Sequence, residues 1–177
     1  MATDSPDARA TTQWGVDIET RYEEEMPGAI RLAYLITGQR ALAEDLAQDA
    51  FLRVASRIRR LRDPGAFRSY LRRAVVNASN SHFRHERVVR RHVESEGAEP
   101  TTHTETPDVE TRDALTDALG SLPPRQRTAI VCRYYLDLSE RETAAALGVR
   151  TGTVKSSVSR GLTAMRSHLE EQEATDA

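Results

Sequence analysis

Four side chains near the C-terminal end have the types and spacing to read double-stranded DNA: Lys155, Ser156, Ser159 and Arg160. On a helix Lys155 and Ser159 are neighbours four residues apart, as are Ser156 and Arg160, so the four share one surface. Short serines let a helix approach base edges, and lysine or arginine donates to guanine O6 and N7 in the major groove. The same segment carries Val154, Val158, Leu162, Met165 and Leu169 at steps of four, four, three and four, which predicts its buried side. No competing chemistry is indicated. His82, His85 and His92 lie in an arginine-rich stretch that repels a cation, and their spacing offers no dedicated ligand set, so no metal, cofactor or catalytic residue is expected.

The elements that must position those four residues are legible just upstream. Ser139-Glu140-Arg141-Glu142 has the pattern of a capping box, in which serine serves the amide three residues on and glutamate reaches back to the serine amide. Ala144, Ala145 and Leu147 suit packing, Gly148 a tight turn, Val149 a core plug and Thr151 the N-cap of the second helix. Cap, turn glycine and buried valine at this spacing make a helix-turn-helix. An amphipathic helix with a solvated face would show only the last part of it. A repressor or activator uses the same element, so spacing alone leaves the regulatory role open.

Helical periodicity continues through the rest of the chain, with no alternating strand pattern. A first helix is expected from Ile18 through Leu35, with a kink or break at Pro27-Gly28 and an end at Thr37-Gly38. A second, Arg40 to Leu61, carries Leu42, Leu46, Ala50, Val54, Ile58 and Leu61 as an apolar stripe opposite Glu44, Asp45, Gln48 and Asp49. Asp63-Pro64-Gly65 makes a turn. A third helix then sets Phe67, Tyr70, Leu71, Ala74 and Val75 against Arg68, Arg72, Arg73, Asn77, Asn80 and Arg84. Residues 93–111 are charged, rich in Thr, Pro and Glu and almost free of apolar side chains, which predicts a disordered linker. The pattern resumes with Leu115, Ala118, Leu119 and Leu122, is punctuated by Pro123-Pro124, and returns as Ala129, Ile130, Cys132, Tyr134 and Leu136. The expected architecture is all-α. A tail (1–17) precedes a first helical domain (18–92), a flexible acidic linker (93–111), a second domain (112–169) and a C-terminal tail (170–177).

Charge distribution sharpens the expected partners. The net charge is −2, yet residues 1–51 carry −6, residues 52–92 carry +10, residues 93–119 carry −7 and residues 120–177 carry +1. Twelve arginines in the second of these stretches mark a polyanion-binding surface, because clustered cations neutralise phosphates and release counterions. Arginine supplies 24 of the 25 basic residues, so a preference for arginine over lysine carries no separate meaning. The single cysteine excludes an internal disulfide, and its place in Ala129-Ile130-Val131-Cys132 predicts a core residue. No apolar run approaches the roughly 20 residues of a membrane span, and the polar start lacks the features of a signal peptide. A cytoplasmic location without membrane insertion is expected.

Leu138-Ser139-Glu140-Arg141-Glu142-Thr143-Ala144, followed by Leu147-Gly148-Val149-Arg150-Thr151-Gly152-Thr153-Val154-Lys155-Ser156, resembles region 4 of the extracytoplasmic-function (group four) RNA polymerase sigma factors. Ala41-Leu42-Ala43-Glu44-Asp45-Leu46-Ala47-Gln48-Asp49-Ala50-Phe51 resembles region 2.2 of the same family, and Arg62 through Asn77 is similar to regions 2.3 and 2.4. The resemblance covers about residues 18–91 and 112–169. It implies a sigma factor, not an enzyme, that binds core RNA polymerase and directs initiation at promoter DNA with −10 and −35 elements. Asp45, Gln48 and Asp49 fall on the polymerase-docking positions; the family more often has glutamate where Asp49 stands. Asn77 matches the asparagine that helps capture a flipped −10 base, with the loop Arg62, Asp63 to Phe67 forming part of the pocket. Arg72, Arg73, Arg84 and Arg87 are phosphate candidates. Lys155, Ser156, Ser159 and Arg160 fall on −35 reading positions, where relatives often carry a larger residue than Ser159, with Arg150 and Thr153 on the DNA backbone. The linker takes the place of a segment that threads polymerase channels, as a nucleic-acid mimic or as an inert tether. An anti-sigma factor is a further partner that many family members have.

Overall fold

Few aromatics and many alanines oblige this chain to build its core by bringing helices close together. The computed structural model describes residues 18–57, 64–95 and 114–176. Seven α-helices occupy them: α1 (Ile18–Thr37), α2 (Arg40–Ala55), α3 (Phe67–Ser95), α4 (Ala114–Gly120), α5 (Pro124–Ile130), α6 (Glu140–Leu147) and α7 (Thr151–Asp176). A 3-10 turn at Pro64–Ala66 leads into α3, and a π-helical segment, Val131–Tyr135, extends α5. Arg62, Asp63, Ile58, Leu61, the N-terminal 17 residues and expected linker positions 96–111 lie outside the described residues.

Helix ends fall where residue chemistry puts them. Gly38 at φ 73° ends α1, its amide bonding the Tyr34 carbonyl at 2.7 Å. Pro124 opens α5, where a missing N–H costs nothing. Several boundaries depart from the sequence expectation. α1 runs unbroken through Pro27, so the proline removes one helical bond without ending the helix. α3 continues to Ser95, into the stretch expected as linker, and α7 to Asp176, through the expected C-terminal tail. The N-cap position of α7 belongs to Arg150 rather than Thr151, since the Arg150 carbonyl accepts from Thr153 and Val154.

The first three helices pack on one another, and α4–α7 form a second unit around α5 and α7. The hydrophobic core crosses between them: Leu32, Ile36, Phe51, Phe67 and Val75 belong to the same cluster as Leu119, Leu122, Ile130, Val131 and Met165. Buried faces are rotated from the expected stripes towards small residues. In α2 the buried positions are Ala43, Ala47, Ala50, Phe51 and Val54, while Leu42 and Leu46 are only half-buried. In α7 they are Val154, Ser157, Gly161 and Met165, leaving Leu162 exposed and Val158 half-buried. Gly161 explains the rotation. A Cβ built there would stand 2.6 Å from Ile130 Cδ1 and 3.3 Å from Gln126 Cβ, so α5 and α7 touch where only glycine fits. Tyr134 and Leu115, expected in the core, are also exposed; the π segment changes the residue spacing and turns Tyr134 outward.

Gly161→Val should therefore destabilise the fold by about 1–3 kcal/mol, the usual cost of overpacking. Urea denaturation followed by circular dichroism measures it, and an unchanged midpoint would refute the close α5–α7 approach.

Candidate nucleic-acid interface

Region by region, the chain presents two polar surfaces of different shape. The first is a groove of ≈ 380 Å³ between the end of α2 and the outer face of α3, lined by Arg53, Val54, Arg57, Tyr70, Arg73, Ala74, Asn77, Ala78 and Ser81. Val75 and Val76 on the inner side of α3 are fully buried and set its rotation, which turns Arg73, Asn77 and Ser81 outward. Each residue advances a helix by about 100°, so Arg73 and Arg84 share the face of Asn77, whereas Arg72 stands about 140° away from it. Arg87 is exposed on the shoulder of that face. The structure thus gathers Asn77 with Arg73 and separates Arg72 from both. Phe67, expected in the pocket, is fully buried; its ring meets Phe51 edge-on at 5.6 Å and lies under the Arg21 guanidinium at 5.0 Å. Its part in the groove is to anchor the start of α3.

Arg53, Arg57 and Tyr70 join this groove although the sequence gave no sign of it. The two arginines read as flanks of the α2 acidic patch, and Tyr70 counted as apolar by its place in the α3 stripe. Its ring is in fact 45% exposed, beside three guanidinium-bearing side chains. The i, i+4 spacing of Arg53 and Arg57, aimed at the α3 asparagine, was the available signal. Arg68, by contrast, is engaged elsewhere. Its Nε lies 3.0 and 2.9 Å from the two carboxylate oxygens of buried Glu25, and this pairing raises the Arg68 pKa.

Asp45, Gln48 and Asp49 are all exposed on the outer face of α2. Asp49 pairs with Arg53 at 3.6 Å, so one residue links the acidic face to the arginine-lined groove. Leu52 is exposed one turn further along.

The second surface is the helix-turn-helix, α6–Gly148–α7. Both halves of the capping box are formed: the Glu142 amide donates to Ser139 Oγ at 3.2 Å, and the Ser139 amide donates to the Glu142 carboxylate at 2.8 Å. The Ser139 side-chain and backbone hydrogen bonds hold the Glu142 carboxyl below its usual range. Gly148 adopts the left-handed conformation at φ 65°, and the Val149 amide bonds the Ala144 carbonyl at 3.0 Å. Lys155, Ser159 and Arg160 are exposed on α7, with Arg150 before them; Ser156 and Thr153 are half-buried. Lys155 Nζ lies 3.5 Å from Glu140 on α6, and Arg160 folds back along its own helix, Nε donating to the Ser156 carbonyl at 3.1 Å and Nη2 to Ser156 Oγ at 3.3 Å. These contacts are exposed and weak, so a stronger acceptor replaces them readily. A half-buried Ser156 engaged by Arg160 reaches less far outward than Ser159.

Comparison with known proteins agrees with this pair of surfaces. The family model described as Sigma-70 region 2 matches residues 21–88, and that described as Sigma-70, region 4 matches residues 112–165. The chain is 35% identical over 127 residues to the RNA polymerase sigma-E factor of Streptomyces coelicolor, covering 72% of this chain and 71% of that protein. It is 36% identical over 138 residues to the ECF RNA polymerase sigma factor SigM of Mycobacterium tuberculosis, covering 73% of this chain and 65% of that one. In fold it is similar to the sigma factor RpoE of Bartonella quintana, solved in complex with the anti-sigma factor NepR, at a TM-score of 0.63, 23% identity and coverage of 87% of this chain and 97% of that chain. The chain belongs to the extracytoplasmic-function group of the sigma-70 family, the RNA polymerase sigma factors that direct promoter-specific transcription initiation. Helices α1–α3 are its region 2 and α4–α7 its region 4.

Removing the cap tests how the reading helix is held. Ser139→Ala should cost about 1 kcal/mol of stability in denaturant titration, the usual worth of an N-cap. A carboxyl held below its unfolded pKa stabilises the fold above the ordinary glutamate range and loses that contribution as pH falls through the depressed value. Wild-type protein should therefore lose its advantage over Ser139→Ala on acidification through that range; an advantage constant with pH would refute the reciprocal bond.

Proposed function

We propose that this protein is a cytoplasmic, non-catalytic specificity subunit that binds core RNA polymerase through the outer face of α2 and reads a promoter at two places. The observation that carries this reading is the groove in which Asn77 and Tyr70 sit among Arg53, Arg57 and Arg73. A base taken out of the duplex loses its stacking; an aromatic face returns part of it, an asparagine amide both donates and accepts, and arginines hold the flanking phosphates. Asn77 is the base-capturing residue of the −10 element, with Tyr70 beside it and Arg73, Arg84 and Arg87 along the strand. The arrangement favours Arg73 over Arg72 as the phosphate contact nearest Asn77.

At the −35 element Lys155, Ser159 and Arg160 face the major groove, Ser156 steadies Arg160, and Arg150 and Thr153 lie at the start of α7, where free amides and the helix dipole suit a phosphate. Asp45, Gln48 and Asp49 offer carboxylates and an amide to a basic partner helix of the polymerase. Because two modest contacts on one chain reinforce each other through effective concentration, neither needs high affinity alone. An anti-sigma factor is a natural inhibitor of such a chain, and the similarity to a sigma factor solved with NepR supports that partner.

Run-off transcription with core polymerase on a promoter library tests the reading. Arg160→Ala should lose about 1–3 kcal/mol of discrimination at one −35 base pair. Equal initiation by wild type and variant on every −35 sequence would remove Arg160 from base reading. Arg73→Ala should weaken promoter binding uniformly and lower the salt-dependence slope by about 1, the signature of one lost phosphate contact. If Arg72→Ala did so and Arg73→Ala did not, the groove assignment would be wrong.

A further inference from the structure

The C-terminal ends of helices from both regions converge on one guanidinium. Arg127 of α5 is only 9% exposed. Its Nη1 donates to the Ile36 carbonyl, at the end of α1, at 3.4 Å; its Nη2 donates to the carbonyls of Gly120 and, at 3.0 Å, Leu122, at the end of α4. Ile36 belongs to region 2, Gly120 and Leu122 to region 4. Carbonyls of a helix's last turn lack intrahelical donors and carry the negative end of its dipole. A planar fork with five donors serves several of them at once, which an ammonium group does not. Region 2 leaves room for the fork: at Gly38 a Cβ would stand 3.0 Å from Arg127 Nη1.

A second contact between the regions lies on α3. Asn80 Nδ2 donates to the Ala146 carbonyl of α6 at 3.5 Å, and α6 packs against α3 around it. Asn77, Asn80 and Arg84 follow one another at three and four residues, so a nucleic-acid strand running along α3 from Asn77 to Arg84 passes over Asn80. That is where α6 stands.

We infer that the free chain rests in a closed form in which Arg127 latches region 4 onto region 2, and that α6 then bars the strand path along α3 until the latch opens. The latch is independent of every DNA-contact assignment; only the barred path rests on the proposed role of Asn77.

Energy transfer between dyes at Ser69→Cys and Ser167→Cys, both exposed positions on α3 and α7, reads closure in the full free chain. The native Cys132 is buried and its thiol is pushed up to about 12 by burial, so it stays unlabelled at neutral pH. Arg127→Gln should turn one short-distance population into a longer, broader one while helix content by circular dichroism is kept. An unchanged distance with helix content kept overturns the latch. If Arg127→Gln loses helix content, Asn80→Arg decides instead: it wedges α6 from α3 while leaving Arg127 in place, and an unchanged distance again overturns closure. Opened variants should bind a single-stranded −10 oligonucleotide several-fold more tightly than wild type; equal binding overturns the barred path. Asn77→Ala separates the two ideas, because binding insensitive to it refutes the Asn77 role while the distance measurement still decides the latch.

Discussion

Close helix approach is the constraint from which most of this molecule follows. With aromatic side chains making up 5% of the sequence, its helices have little bulk to place between them. They bury alanine on α1 and α2, at Ala29, Ala33, Ala43, Ala47 and Ala50, and serine and glycine on α7, at Ser157 and Gly161. Short side chains bring backbones together, and dispersion between closely packed atoms replaces the area that larger residues would bury. Two phenylalanines, Phe51 and Phe67, supply the exception where α2 and α3 meet. The arrangement leaves long charged side chains to the outside, where every proposed nucleic-acid contact lies.

The same economy explains why arginine has two different uses here. On α2 and α3 guanidinium groups stand in solvent around Asn77, available to phosphates. Arg68 and Arg127 are instead consumed by the fold, one on the buried Glu25 carboxylate and one on helix-terminal carbonyls. Composition cannot separate these roles, because an arginine that binds carbonyls and one that awaits phosphate differ only in what lies opposite them. The local charge of +10 over residues 52–92 thus overstates the surface available to a polyanion.

How much was legible beforehand depends on whether the signal was local. The capping box at Ser139 and Glu142, the left-handed Gly148 and the stop at Gly38 involve neighbours in sequence, and each forms as expected. The all-α class and the polar face of α7 followed from periodicity. The identities of the buried residues did not follow, because counting apolar side chains favours leucine and overlooks Ala43, Ala47, Ser157 and Gly161, whose value is their smallness against a distant helix. Tyr70 and Arg57 were missed for a related reason, since the groove they line is shared by two helices. The packing of α6 on α3 and the shared core required contacts far apart in sequence.

The π-helical segment Val131–Tyr135 sits between α5 and the helix-turn-helix, closed by the Leu136 amide on the Val131 carbonyl at 3.1 Å. Its wider turn holds one residue more than the surrounding repeat would. The segment is therefore a spacer measured in single residues. Deleting one of them would restore ordinary winding and swing everything downstream by about 100°. A substitution in α7 changes which bases are preferred, whereas a one-residue gain or loss in this stretch re-aims the whole reading head with its contact residues intact.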